Sequence, residues 1–436
     1  MGKTGILWLG VLAGLSAPAS GQLLGGGLTG PIGNLTSGLL GAPSGGSGMV
    51  GGLQAPLDDL GGTLRATAPG DLLSLRRERL RALVHDGRRV LDVDDAGNPV
   101  RRDEIIGLNP SADAVSRAIA AGFTIVRREA VEGLDLATIL LSPPKGRPAR
   151  KAILILRALD PAGSYSLNPI YEPAHGPLAA MAGTAAEGGG ATTGARLGLI
   201  DGGVGRHPVF AGIAIDQRGF AGDPKPSGHG TAVASLMVGR AGAFHGAAPG
   251  MPLLVADVFG GSSANGSATA IVRAMGWLAA SGARIINISL VGPSNPLLAA
   301  GVKALQARGI AIIAAVGNDG PAAPPQYPAS YPGVIAVTGV DADGKPLIEA
   351  GKPLHLDFAA PGADIAGAVP GGGWEKLRGT SFAAPFVAGS LARLDRGDPA
   401  GAIAALAAQA RAAKGAVGRG IVCADCGTSP KAVGIK

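Results

Sequence analysis

Between residues 195 and 340 the chain alternates short apolar runs with longer stretches of helical spacing. The runs lie at 197–200, 253–258, 285–288, 310–315 and 334–340, and the helix-like stretches near 230–239, 266–281 and 295–308. A strand that is apolar at nearly every position is buried on both faces, the condition of a parallel sheet covered by helices on either side. The pattern predicts an α/β domain over 195–415 with a mainly parallel sheet. Ligands of such sheets bind beyond the carboxyl ends of the strands, so polar residues at those ends matter most.

Upstream the spacing differs. From Asp71, Leu72, Leu75, Leu80 and Leu83 stand among Arg76, Arg77, Arg79 and Arg81 as in an amphipathic helix. Ser111 can cap a second helix that Gly122 ends, strands are predicted at 123–127 and 136–141 around a Glu132-Gly133 turn, a helix at 148–159 and a short strand at 165–167. Residues 71–172 therefore read as a small α+β region ahead of the main domain. Residues 173–194, rich in Ala, Gly, Pro and Thr, are expected to form a linker where proteolytic processing occurs. Residues 22–70, dominated by Gly, Leu and Ser without any period, are expected to be flexible, an inert spacer rather than a surface tether. Residues 416–436 form a C-terminal tail in this division.

Composition adds an address and removes some functions. Lys3, an apolar run at 6–15 and then Ala17, Ala19, Ser20 and Gly21 have the layout of a signal peptide over 1–21, so the protein is expected to be secreted or periplasmic. The run is too short for a stable membrane span. The net charge of +7 comes with only 3% aromatic residues and no basic stripe, and many of the arginines fall between Arg65 and Arg157, so a nucleic-acid partner is not expected. Cys423 and Cys426 are the only cysteines. They lack the second pair of a zinc ribbon, and in an exported chain they are expected to form a local disulfide.

Four polar positions could carry chemistry. Asp201 ends the first apolar run before Gly202 and Gly203, where it can orient an imidazole or simply form a turn. His229 stands between Gly228 and Gly230 at the start of an apolar helix; the glycines are expected to leave its ring accessible for proton transfer. The histidines at 85, 175, 207, 245 and 355 lack this setting and read as structural or surface residues. Ser381 lies where loop becomes helix, a place for a nucleophile or for a plain helix cap. Asn318, in Gly317-Asn318-Asp319-Gly320 after a predicted strand, can be a turn residue or an oxyanion donor.

Taken together these segments resemble a family. Asp201-Gly202-Gly203 after an apolar strand, His229-Gly230-Thr231-Ala232-Val233-Ala234, Gly317-Asn318-Asp319-Gly320 and the eleven-residue block at 379–389 around Ser381 are similar, in that order, to the subtilases. Two connecting segments at 246–250 and 286–290 match as well. The resemblance implies a three-layer α/β sandwich and a serine endopeptidase with Ser381 as nucleophile, His229 as general base and acid, Asp201 as its orienting carboxylate and Asn318 in the oxyanion hole. It implies protein or peptide substrates, and a substrate cleft walled by Ser289, Leu290, Val291 and Gly292 together with Ala315 and Gly317. It further implies a monomer whose 71–172 region is a propeptide, acting as an intramolecular inhibitor until the zymogen cuts itself. Two departures stand out. Gly202 replaces a usual Ser or Thr, and Val291 replaces a usual Gly, which should narrow the pocket toward small side chains. No cofactor is expected: the loop at 239–245 that often binds calcium in the family offers no carboxylate or side-chain amide here, although calcium elsewhere stays open. A catalytically silent subtilase fold serving as a binding or regulatory module is the alternative.

Overall fold

The computed structural model describes residues 69–174, 197–423 and 426–435. The expected signal peptide, residues 22–68 and most of the expected processing region therefore lie outside the described residues, which all belong to one compact unit. Helix α1 (Pro69–Asp86) opens on a proline, whose missing N–H costs nothing in a first turn, and buries Leu72 and Leu80. An antiparallel sheet follows, made of β1 (Leu91–Val93), β2 (Pro99–Leu108), β3 (Thr124–Ala130), β4 (Ala137–Ser142) and β5 (Ser164–Pro169). Central β2 pairs with β1, β4 and β5, and β3 pairs with β4.

Helices α2 (Ala112–Ala120), entered through the Ser111 cap, and α3 (Ala149–Leu159) cover one face of this sheet through Val115, Ala118, Ile153 and Leu156. The pattern reading anticipated all of these elements except β1 and β2. In β2 the run Arg101-Arg102-Asp103-Glu104 breaks the apolar period. Against β5 the register shifts between Val100 and Ile105, and Asp103 takes φ 57°, so this charged stretch forms a bulge on that side, while Arg101 still pairs with Leu91 of β1.

After β6 (Glu172–Pro173) the second layer system begins with β7 (Leu197–Asp201), β8 (Ile215–Gly219) and α4 (Gly228–Val238). A hairpin of β9 (Arg240–Ala241) and β10 (Phe244–His245), the segment compared above with a calcium loop, leads to β11 (Leu253–Asp257), α5 (Ala268–Ala280) and β12 (Ile285–Ile288). Then come β13 (Leu290–Val291), α6 (Pro296–Ala307), β14 (Ala311–Ala315), β15 (Ile335–Val340), β16 (Phe358–Pro361), β17 (Ile365–Ala368), β18 (Trp374–Leu377), α7 (Ala384–Leu394) and α8 (Pro399–Gln409). Seven strands form one parallel sheet in the order β16-β15-β14-β12-β7-β11-β8. Side chains alternate between its faces. Leu197, Leu199, Leu253, Val255 and Ile313 meet α4 and α7, while Ile200, Leu254, Ile286, Ile312 and Ala314 meet α5 and α6. Both faces are apolar, which is why the strands read as unbroken runs. Ser227, Ser267 and Asn295 cap α4, α5 and α6 by accepting backbone N–H bonds.

The free face of the N-terminal sheet packs on α5 and α6, with Ile106, Val131, Leu134 and Leu140 in the same cluster as Trp277, Leu278 and Leu297. At the other end of the chain the residues set apart as a tail are part of the sheet's edge: Val422 N donates to Ala359 O at 2.7 Å, and Val417, Ile421 and Val422 are buried. Pairing with β16 satisfies backbone groups that the strand would otherwise expose. Cys423 and Cys426 are joined as a disulfide. Among the described residues no helix is long and apolar enough to cross a membrane.

Candidate active site

The carboxyl end of β7 delivers Asp201, fully buried, into the space below α4. Its Oδ1 accepts the Gly202 N–H at 2.7 Å and lies 2.8 Å from His229 Nδ1. His229 is the second residue of α4 and is also buried. The flanking glycines do not expose the ring as expected. A Cβ on Gly230 would run into the carbonyl oxygen of Gly202, so glycine is required for α4 to approach the strand closely enough for the Asp–His contact. Asp201 Oδ2 has no hydrogen-bond partner among the described residues, in keeping with the missing hydroxyl at Gly202.

Ser381 sits in a single 3-10 turn, Thr380–Phe382, immediately before α7, and its hydroxyl caps nothing. The plain-cap reading of this serine therefore fails. Ser381 Oγ is buried without a hydrogen-bond partner among the described residues. The next side chain, Phe382, lies with its ring centroid 5.3 Å from that of His229, so the serine turn and the imidazole face the same space. A chain of polar contacts fixes the turn: Asn287 Nδ2 donates to Ser289 Oγ at 2.9 Å, and Ser289 Oγ donates to Ser381 O at 2.8 Å. Glu375 on β18 is a second acid near the ring. Burial pushes its carboxyl above the usual range, and the neighbouring His229 pulls it back.

Asn318 completes the group. Its Oδ1 accepts the Thr380 N–H at 3.0 Å, and Gly317 N–H donates to Thr380 Oγ1 at 3.1 Å, so the amide is clamped to the serine turn. With Oδ1 engaged, Nδ2 points into the cleft and donates to the carbonyl oxygen of Ala174.

That carbonyl belongs to a segment seated along the cleft. β6 pairs antiparallel with β13, Pro173 opposite Leu290 and Glu172 opposite Val291, and Ala174 N donates to Ser289 O at 3.0 Å. The Ala174 side chain is buried in a cluster with Val291, Ala315 and Phe382. Tyr171 is wholly buried, donates its hydroxyl to Pro293 O at 2.6 Å and packs on Gly292, where a Cβ would strike its ring. Of the residues singled out from the sequence for this cleft, Ser289 to Gly292 run alongside the segment 171–174, Ala315 shares a cluster with Ala174, and Gly317 lies against Val291.

One group here went unread from sequence. Glu172 and Asp319 are buried beside Arg79 of α1, whose guanidinium spans them with Nε 3.4 Å from Glu172 Oε2 and an Nη 2.9 Å from Asp319 Oδ1. Arg76 Nε adds a contact to Asp319 Oδ2 at 3.1 Å. Burial pushes the Glu172 carboxyl above its ordinary range, with Arg79 opposing. Burial alone would lower Arg79, but the two carboxylates hold its pKa raised. No local signal marks this cluster, because its partners are separated by up to 243 positions.

Comparison with known proteins agrees with the geometry. The model of the subtilase family matches residues 192–414, just over half of the chain. An alkaline protease of Alkalihalobacillus alcalophilus is 30% identical over 55% of this chain and 66% of its own length, so the chain spans just under two thirds of that relative. Subtilisin Savinase of Lederbergia lenta is 31% identical over 48% of this chain and 78% of its own. Among solved structures, fervidolysin from Fervidobacterium pennivorans, a keratinolytic enzyme related to subtilisin, shares the fold with a TM-score of 0.62 at 19% identity, over 77% of this chain and 62% of that one. Since the family model covers every strand of the seven-stranded sheet whose carboxyl ends build this cleft, the chain belongs to the subtilase family.

Proposed function

We propose that the protein is an exported serine endopeptidase, made as a zymogen that cuts itself after Ala174. One observation carries the reading: the Ala174 carbonyl oxygen rests on the Asn318 amide while the backbone before it is strand-paired to the cleft wall. A peptide about to be cut would be held in this way. In this reading Ser381 Oγ attacks the Ala174 carbonyl carbon as His229 takes the hydroxyl proton, and Asp201 keeps the imidazole in the tautomer that can accept it. Asn318 Nδ2 and the Ser381 N–H receive the negative charge on oxygen. The bond to His175 then breaks, His229 returns its proton to the leaving amine, and water releases Ala174 as a carboxylate by the same route. Once cut, residues 69–174 remain docked as an inhibitor. The small pocket around Ala174, with Val291 as one wall, favours Ala over aromatic side chains at the residue before the cut.

Intact mass and N-terminal sequencing of the purified protein test the proposal. Wild type is expected to begin at His175, and a serine-directed fluorophosphonate should label it once the docked part is removed. Ser381→Ala should remain uncut after Ala174 and unlabelled. An isolated Ser381→Ala protein trimmed at the same bond, or a wild type that never reacts, would favour the silent-module alternative.

A further inference from the structure

Asp319 follows the clamped Asn318 at the rim of the cleft, yet it is only 6% exposed. Its cover comes from α1. Leu72 lies over Gly320, and the guanidinium groups of Arg76 and Arg79 take both carboxylate oxygens. Among the described residues, every hydrogen bond and ion pair of the Asp319 side chain goes to these two arginines. Both precede Ala174. Glu349, whose backbone carbonyl accepts the Gly320 N–H, pairs its carboxylate with Arg378 instead.

Glu172 supplies the second half of the argument. Counting back from the Ala174–His175 bond it is the third residue, and its side chain reaches the same Arg79 guanidinium that Asp319 holds. Two carboxylates this close repel, so an acid at the third position is tolerated only while an arginine from α1 stands between them. When residues 69–174 depart, Glu172 and both arginines leave together and Asp319 stays behind.

We infer that Asp319 is a specificity-determining residue, a cation site filled by Arg76 and Arg79 in the zymogen and open afterwards to a Lys or Arg side chain at the third residue before the cut. The protein would then discriminate against its own processing sequence in trans: Tyr-Glu-Pro-Ala suits the full-length chain, whereas Tyr-Arg-Pro-Ala suits the released enzyme. A four-carbon or guanidinium side chain at position 172 is long enough to put its charge where Arg79 now places one. The inference rests on the peptidase reading and on the register set by β6 and β13.

The test uses enzyme matured by its own processing and three chromogenic peptides, Tyr-Xaa-Pro-Ala, with Xaa as Arg, Gln or Glu. Their kcat/KM should fall in that order, Arg exceeding Glu by about three- to tenfold at low ionic strength and by less at high salt, as expected for a solvated ion pair together with a like-charge repulsion. Asp319→Asn should bring the Arg-to-Glu ratio close to one, and Asp319→Arg should invert it. The ratio cancels any general loss of activity in the variants, and the three-peptide series on wild type needs no variant at all. Equal rates for the three peptides, a preference for Glu, or a ratio that survives in Asp319→Asn would overturn the assignment while leaving the peptidase standing. Failure to cleave any of them, with no fluorophosphonate labelling, would remove the peptidase reading and this one with it.

Discussion

Asn318 is held at both ends of its amide, by the Thr380 N–H on one side and by the Ala174 carbonyl on the other. Removing the amide deletes one donor to developing charge and the acceptor of the Thr380 N–H. Asn318→Ala is therefore expected to lower kcat by about 100- to 1,000-fold with little change in KM, the range known for the equivalent loss in subtilisin itself. Steady-state kinetics on a small peptide would show it; a loss confined to KM would contradict the oxyanion role. Val291 makes a different prediction. Its branched side chain shares a cluster with Ala174, and Gly317 lies close enough that a Cβ there would touch Val291 Cγ1. Val291→Gly should open the pocket and raise the Phe-to-Ala ratio of kcat/KM by about tenfold, the effect of one or two methylene groups in a specificity pocket.

At the scale of elements, α1 and β6 both contact the cleft, and in the zymogen reading proposed above their grip should depend on pH. Glu172 faces Arg79, Asp319 and, more distantly, Arg76, and its pKa is raised in the docked state chiefly by burial. On release it returns to the ordinary carboxylate range, about 4.3. A carboxyl whose pKa is higher when docked takes up a proton on docking, so the grip is firmest below the ordinary value and weakens as pH rises through the docked one. Inhibition of mature enzyme by its cut N-terminal part should accordingly decline with rising pH across the weakly acidic range, and Glu172→Gln should flatten that profile. The same elements mark the limit of what sequence reveals. Leu197 to Ile200 could be read as a buried strand because both faces of the sheet are apolar, and Ser111 could be read as a cap because its role is local. Asp201, His229, Asn318 and Ser381 each allow a plain turn or cap reading alone, and only the order of their motifs and their glycine context taken together single them out from the sequence. Glu172 and Pro173 were not legible, since a two-residue strand has no period and takes its conformation from β13. Nor was Asp319, whose arginines lie far away in the chain.

Across the whole molecule the N-terminal region packs on α5 and α6, and at one point it approaches α5 through glycine. A Cβ on Gly276 of α5 would strike the Glu132 carbonyl oxygen, and one on Gly133 would strike the Gly276 carbonyl oxygen. Gly276→Ala should thus have opposite effects on the two states. It should weaken docking of residues 69–174 by about 1–3 kcal/mol through overpacking, and stabilise the released enzyme by up to about 1 kcal/mol through helix propensity. Inhibition constants and thermal melts of the two forms would separate these terms, and hydrolysis of small peptides by the released enzyme should be unchanged. The docked part holds on at three places: β6 in the groove, the α1 arginines on Asp319, and the sheet on α5 and α6. Each is modest alone, but their covalent connection raises the effective concentration of one contact once another has formed, so the clamp is multivalent. Residues 88–90 between α1 and β1 are exposed. A single nick there would leave the arginine contact joined to the other two only through the packing of Leu83 on Leu91 and the Arg76–Asn98 bond, lowering the effective concentration that makes binding avid, so that a second cut by a neighbouring molecule would weaken inhibition without unfolding anything.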